Sequence, residues 1–210
     1  MIQLLLAVIY LAFISLGLPD SLLGAAWPSI YPELNVPVSY AGAISMTIAA
    51  GTIVSSLMSE RLTRRFGTGL VTAVSVAMTA AALLGFSISG SFAMLIVFAI
   101  PYGIGAGSVD ASLNNYVALH YASRHMSWLH CMWGVGASVG PLIMSAALTA
   151  GCGWQSGYRA ISYIQLGLTL ILLISLPLWK RPQSAQENGA ARALSLREIV
   201  RIRGANEVML

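Results

Sequence analysis

Charge is what this chain has least of. Of its 210 residues, 11 are Lys or Arg and 7 are Asp or Glu, 9% in all, against about a quarter in an ordinary soluble domain. So few ionic side chains cannot cover a solvated globular surface, and hydrophobic residues reach 57%, so the solvent this chain is built for is lipid. The net charge of +4 is then no sign of nucleic-acid binding. Its meaning lies in where the basic residues fall relative to the membrane. Cysteine is nearly absent, and Cys131 within an apolar run and Cys152 near a loop predict no disulfide. No basic n-region precedes Ile2, and no small-residue cleavage site follows the first apolar run. That run reads as a retained helix and not a signal peptide. The apolar runs hold no nucleophile–base pair, no metal-ligand cluster and no ring of like charges. An intramembrane enzyme or a channel therefore has little support, and no cofactor is implied. His120, His125 and His130 recur every five residues, a spacing that spreads them around a helix instead of gathering them on a metal.

Apolar runs of about 20 residues fit membrane helices and not barrel strands. Six can be drawn: residues 2–26, 40–58, 68–87, 92–117, 128–150 and 158–179. In the first, Gly17-Leu18-Pro19-Asp20 breaks the run and predicts a kink. The loop 28–37 carries Glu33, and Trp27, Tyr31 and Tyr40 flank it as interfacial aromatics do. The second run is rich in Gly, Ala, Ser and Thr, which suits close packing in lipid. Residues 59–67 form the densest charge cluster before the tail, 89–91 a tight turn, 118–127 a loop with Arg124, and 151–157 a turn. The six-helix bundle, residues 1–182, ends at Lys180-Arg181-Pro182. Residues 183–210 are a polar, basic linker or tail. There Leu196, Ile199 and Val200 lie at i, i+3, i+4 among arginines, which fits an amphipathic surface helix or a solvated linker equally.

Arg61, Arg64, Arg65, Arg124, Lys180, Arg181 and the four tail arginines fall on one side of this six-span scheme, and only Arg159 on the other. The positive-inside rule puts both termini in the cytoplasm of a cell-membrane protein.

Asp20 and Asp110 are the only acids inside the runs. A charge near a bilayer centre costs roughly 2.5–3.5 kcal/mol on insertion scales, so such residues usually serve a function and face a protein or water-lined interior. Asp110 stands in Pro101-Tyr102-Gly103-Ile104-Gly105-Ala106-Gly107-Ser108-Val109-Asp110, with Asn114 one helical turn on. The three glycines thin the helix so that a neighbour or a ligand can approach its backbone. The alternative is a structural, protonated acid bonded between helices. The two acids occupy the first and fourth spans. If spans one to three and four to six are two copies, the copies are inverted, because three is odd. Inverted triplets with interrupted helices mark transporters, whose sites lie near the midplane. Two acids in a dry hollow suit proton coupling: a sheltered carboxylic acid crosses neutral and recovers its charge when water enters. Asn114, Asn115, His130, Gln165 and Ser21 are further candidates for that cavity. Trp133 shares a face with His130, where it either stacks on a sugar or fills a groove. His130 either meets the solute or makes an interhelical hydrogen bond.

Ser56-Leu57-Met58-Ser59-Glu60-Arg61-Leu62-Thr63-Arg64-Arg65 resembles the loop motif between helices two and three of the major facilitator superfamily, Gly-x-x-x-Asp-Arg/Lys-x-Gly-Arg/Lys-Arg/Lys. Ser56 and Thr63 replace its glycines and Glu60 its Asp. Gly136-Ala137-Ser138-Val139-Gly140-Pro141 is similar to the Gly-x-x-x-Gly-Pro core of a second motif, without the family's trailing glycines. Asp20 and Asp110 with Asn114 look like the acidic positions of the fucose–galactose–glucose:proton symporter branch. The resemblance implies an all-α membrane protein, six transmembrane helices as two inverted three-helix repeats, forming half of a major facilitator fold. It implies a gating role for Glu60, Arg61, Arg64 and Arg65, helix packing at Gly136, Gly140 and Pro141, and a small polar solute, sugar above all, and protons as partners. Alternating access needs a second six-helix half, supplied by another chain or another copy. The alternative is a truncated, transport-inactive membrane protein or a partner-binding subunit.

Overall fold

The computed structural model describes residues 2–179; the tail expectation for 183–210 lies outside the described residues. Seven helices run through them: α1 (Ile2–Gly17), α2 (Leu22–Glu33), α3 (Tyr40–Phe66), α4 (Thr68–Ser87), α5 (Phe92–His120), α6 (Ser123–Thr149) and α7 (Gly153–Trp179). They make six apolar spans, because α1 and α2 form one interrupted crossing. The interruption falls at the expected Gly-Leu-Pro-Asp stretch. The Leu18 amide still closes on Ile14, at 3.1 Å, and Asp20 then turns back on Gly17, at 3.2 Å. Pro19 has no amide hydrogen to continue the ladder.

The spans pack with the symmetry that inverted triplets require. The second span lies along the fourth (α3 on α5) and the fifth along the first (α6 on α1), while the third and sixth (α4 and α7) pair with each other. Exchanging the triplets turns the first contact into the second and maps the third onto itself. The bundle is all-α, six crossings in two inverted three-helix repeats.

In lipid, helices associate through close packing and interhelical hydrogen bonds. Both devices appear at the matched contacts. A Cβ on Gly103 or Gly107 would strike the backbone of α3 at Ile48 or Thr52, and one on Gly136 or Gly140 would strike the carbonyl of Ile14 on α1 or of Leu18 just past its end. The glycines of α5 thus admit a neighbouring helix. Along the same seam Thr52 donates to the Gly103 carbonyl at 3.2 Å, Ser56 to that of Gly107 at 3.3 Å, and Ser59 and Ser112 share a bond of 3.0 Å. The core has two apolar parts. One gathers Trp27, Ile30, Phe86, Tyr102, Trp154 and Tyr158, the other Leu5, Ile9, Leu113, Tyr116, Leu168 and Leu172.

Several expected boundaries move. Residues 28–33 continue α2, prolines included, so the loop shrinks to 34–39. Trp27 is buried and donates to the Val38 carbonyl at 2.8 Å, tying that loop down, instead of standing at the lipid interface. Residues 59–66 extend α3 by two turns, and 118–120 and 123–127 extend α5 and α6, leaving Tyr121 and Ala122 as the link. The break separates His120 on α5 from His125 and His130 on α6. The last turn narrows to 150–152. In each case polar residues carry a helix past the apolar run.

Candidate functional site

The α1–α2 break leaves Asp20 outside both helices and exposed on the surface of the six-helix unit. Two donors hold it. The Trp133 indole of α6 reaches Oδ2 at 2.7 Å, and the Tyr102 hydroxyl of α5 reaches Oδ1 at 3.3 Å. Tyr102 is buried, anchored among Phe86 and the core. Trp133 is 39% exposed, so its ring face stays open while its N–H is committed. The close packing of α1 on α6 brings this about, since Gly17 rests against the Trp133 and Ala137 backbone and Gly136 and Gly140 against Ile14 and Leu18.

Asp110, half-buried on α5, accepts from the Asn114 side-chain amide at 2.9 Å; that amide also donates to the Asp110 carbonyl at 3.0 Å. The one-turn spacing thus produces a carboxylate–carboxamide pair. His130 of α6 and Asp20 both lie within electrostatic reach of Asp110. His130 is exposed and meets the Phe13 ring edge-on at 6.1 Å. Asn115 is also exposed. The fold therefore gathers Asp20, Asp110, Asn114, His130 and Trp133 from the first, fourth and fifth spans.

Gln165 stands apart. It is 1% exposed, accepts from Thr79 at 2.9 Å and donates to the Ser15 carbonyl at 2.9 Å. These bonds tie α7 to α4 and α1 inside the bundle. Ser21 lies in the α1–α2 break, half-buried, beside Asp20. The sequence expectation of a dry hollow also changes in one respect. The six-helix unit does not enclose Asp20 by itself, so whatever covers this face must supply the shelter.

The basic cluster sits on the last two turns of α3, not in a loop. Glu60 and Arg64 pair at 2.8 Å across one helical turn, both exposed. Arg61 is exposed as well, and the Arg65 guanidinium lies 5.3 Å from the Phe66 ring centre. Arg64 and Arg65 stand at the negative pole of α3. Thr63 is helical, its hydroxyl bonded to the Ser59 carbonyl at 3.0 Å. The reversal falls on Gly67, with φ +82°, so Gly67 does the work that the altered motif position does not.

Sequence reasoning missed Tyr102 as a partner of Asp20. It also missed a second cluster at one end of the bundle, where Glu33 accepts from Trp154 at 2.7 Å and from Gln155 at 2.9 Å. Only the aromatic inside the glycine-rich stretch of α5 offered a signal for the first.

Two known proteins are similar to this chain. One is the 4-hydroxybenzoate transporter PcaK of Acinetobacter baylyi, 24% identical over 165 residues, covering 77% of this chain and 36% of that protein. The other is the Acurin A biosynthesis cluster MFS-type transporter of Aspergillus aculeatus, 27% identical over 192 residues, covering 83% of this chain and 33% of that protein. The chain thus spans about a third of the length of these relatives. The family match runs over residues 9–208. With that coverage, six apolar crossings and inverted packing, the chain is a multi-pass membrane protein that belongs to the Major Facilitator Superfamily.

Proposed function

We propose that this chain forms one six-helix half of a proton-coupled secondary transporter for a small hydroxyl-rich solute, a sugar in the first instance. It is not an enzyme in this reading. The observation that carries the proposal is the Asp20 carboxylate. It stands on an open face of a membrane bundle, braced by Trp133 and Tyr102, with Asp110 in electrostatic reach. An ionisable group at membrane depth belongs in a protein interior or a water-filled cavity. A second six-helix unit over this face, from the same polypeptide, another chain or a second copy, closes that cavity. Asp110 and Asn114 offer carboxylate and amide oxygens as acceptors to hydroxyl groups, and the open ring of Trp133 suits the apolar face of a sugar. One acid orients the solute and the other carries the proton. This arrangement supports the fucose–galactose–glucose:proton symporter branch. The cytoplasmic side is the end bearing Arg61, Arg64, Arg65 and Arg124, with both termini there and the protein in the cell's inner membrane.

Uptake of labelled galactose, glucose and fucose into vesicles containing the protein, driven by an imposed pH gradient, tests this reading, with 4-hydroxybenzoate as the comparison solute. Gradient-driven sugar uptake is expected, and loss of at least tenfold in Asp20→Asn and in Asp110→Asn. Unchanged uptake in both variants contradicts the proton mechanism. Uptake of 4-hydroxybenzoate alone contradicts the sugar assignment and favours an aromatic acid like the solute for which the Acinetobacter relative is named.

A further inference from the structure

Arg159 is out of place by charge. Among the described residues it is the one Lys or Arg at the end of the bundle away from Arg61, Arg64, Arg65 and Arg124. It is exposed near the start of α7, and no carboxylate among the described residues pairs with it. The acid at that end, Glu33, already has both oxygens occupied by Trp154 and Gln155. Beside Arg159 runs an open groove of about 460 Å³ between α4, α5 and α7. Ala81, Leu84, Gly85, Ile88 and Phe98 form its apolar length, and Arg159 with Tyr163 and Ser87 forms its polar part. The Phe98 ring lies directly over Gly85, where a Cβ would collide with it, so the glycine shapes the groove.

We propose that this groove is a phospholipid site, with an acyl chain along α4 and the phosphate on the Arg159 guanidinium. Charge complementarity and place choose this occupant. The groove is apolar and ends in an unpaired cation, at the depth where a span gives way to a headgroup layer. Guanidinium is the side chain best matched to phosphate oxygens, and Tyr163, 59% exposed, is an amphipathic ring of the kind that settles at headgroup level. The lipid would fasten α7 to α4 on their membrane side, without contact with the acids of the transport site.

Native mass spectrometry of the purified chain in detergent, titrated with dioleoylphosphatidylglycerol, tests the site. One lipid should be retained by the unaltered chain and by Arg159→Lys. Arg159→Gln removes the charge, and Ala81→Trp fills the groove from an exposed position. Each should weaken retention by about tenfold, the first as loss of one charge-assisted contact does and the second by excluding the acyl chain. Dioleoylglycerol, with the same chains and no phosphate, should bind as weakly as lipid binds to Arg159→Gln. Full retention in both Arg159→Gln and Ala81→Trp overturns the proposal. So does an equal loss in Arg64→Gln at the opposite end, which would reduce the effect to general surface charge. Equal binding of dioleoylglycerol, or displacement of the lipid by millimolar inorganic phosphate, overturns it too. The latter would make this a site for a free anion.

Discussion

At the Asp20 side chain, two donors of unequal quality compete for the same description. The Trp133 bond is 2.7 Å and the Tyr102 bond 3.3 Å, and a hydrogen bond to an ionised group weakens steeply as it lengthens. Trp133→Phe keeps most of the ring and removes the shorter bond; Tyr102→Phe removes the longer. Solute uptake should fall more in Trp133→Phe, by about three- to tenfold, than in Tyr102→Phe, while both variants keep the melting temperature of the parent within a few degrees. An equal fall, or the reverse order, would mean that the indole N–H does not set the carboxylate's position. The acids themselves were legible in the sequence, because a charge inside an apolar run announces itself. Their partners were not. Tyr102 lies 82 residues from Asp20, and Trp154 lies 121 from Glu33. Separations of that size are bridged by helix packing, which no local pattern records. Gln165 was ambiguous for a related reason. A polar residue in an apolar span looks the same whether it faces a cavity or, as here, ties three helices together.

Between helices, glycines fall into those that admit a neighbour and those that do not, and the two kinds should respond oppositely to a methyl group. A Cβ on Gly140 would collide with the Leu18 carbonyl, a backbone atom that cannot swing aside, whereas around Gly134, on the same helix, nothing lies within 4 Å. Gly140→Ala should cost about 1–3 kcal/mol, as overpacking does, and lower the thermal unfolding temperature in detergent. Gly134→Ala should be neutral or gain up to about 1 kcal/mol from helix propensity. Equal effects would show that α6 is not seated on α1 as described. The Gly136–Gly140 pair was readable through the family motif it resembles, and the kink before Asp20 through the Gly-Leu-Pro-Asp break in the apolar run. Helix ends were less so. Hydropathy marks where lipid stops, but the backbone ladder continues until a residue breaks it. Thus α3 runs on through Glu60 and Arg64 to Gly67, and α5 reaches His120.

On the scale of the whole bundle, the spans are unequally buried: α4 is mostly interior, while α3 and α6 leave most of their surface outside. The count of crossings, their inverted pairing and the segregation of basic residues followed from the sequence. Which face stays open did not, although the second and fifth spans are the least apolar of the six, because an average over a helix does not say which of its sides meets water. The open surface that bears Asp20, His130 and Trp133 is the account's central feature, and it requires water, not lipid, over those side chains. Cysteine labelling in open membranes, on a chain with Cys131 and Cys152 replaced by Ser, measures this directly. His130→Cys, exposed on α6 and on the acid-bearing face, should react with a water-soluble, membrane-impermeant maleimide, and Ile174→Cys, 81% exposed on α7, should not. A His130→Cys thiol that only a lipid-soluble reagent can reach would contradict the account, because it would place the acid-bearing face against hydrocarbon.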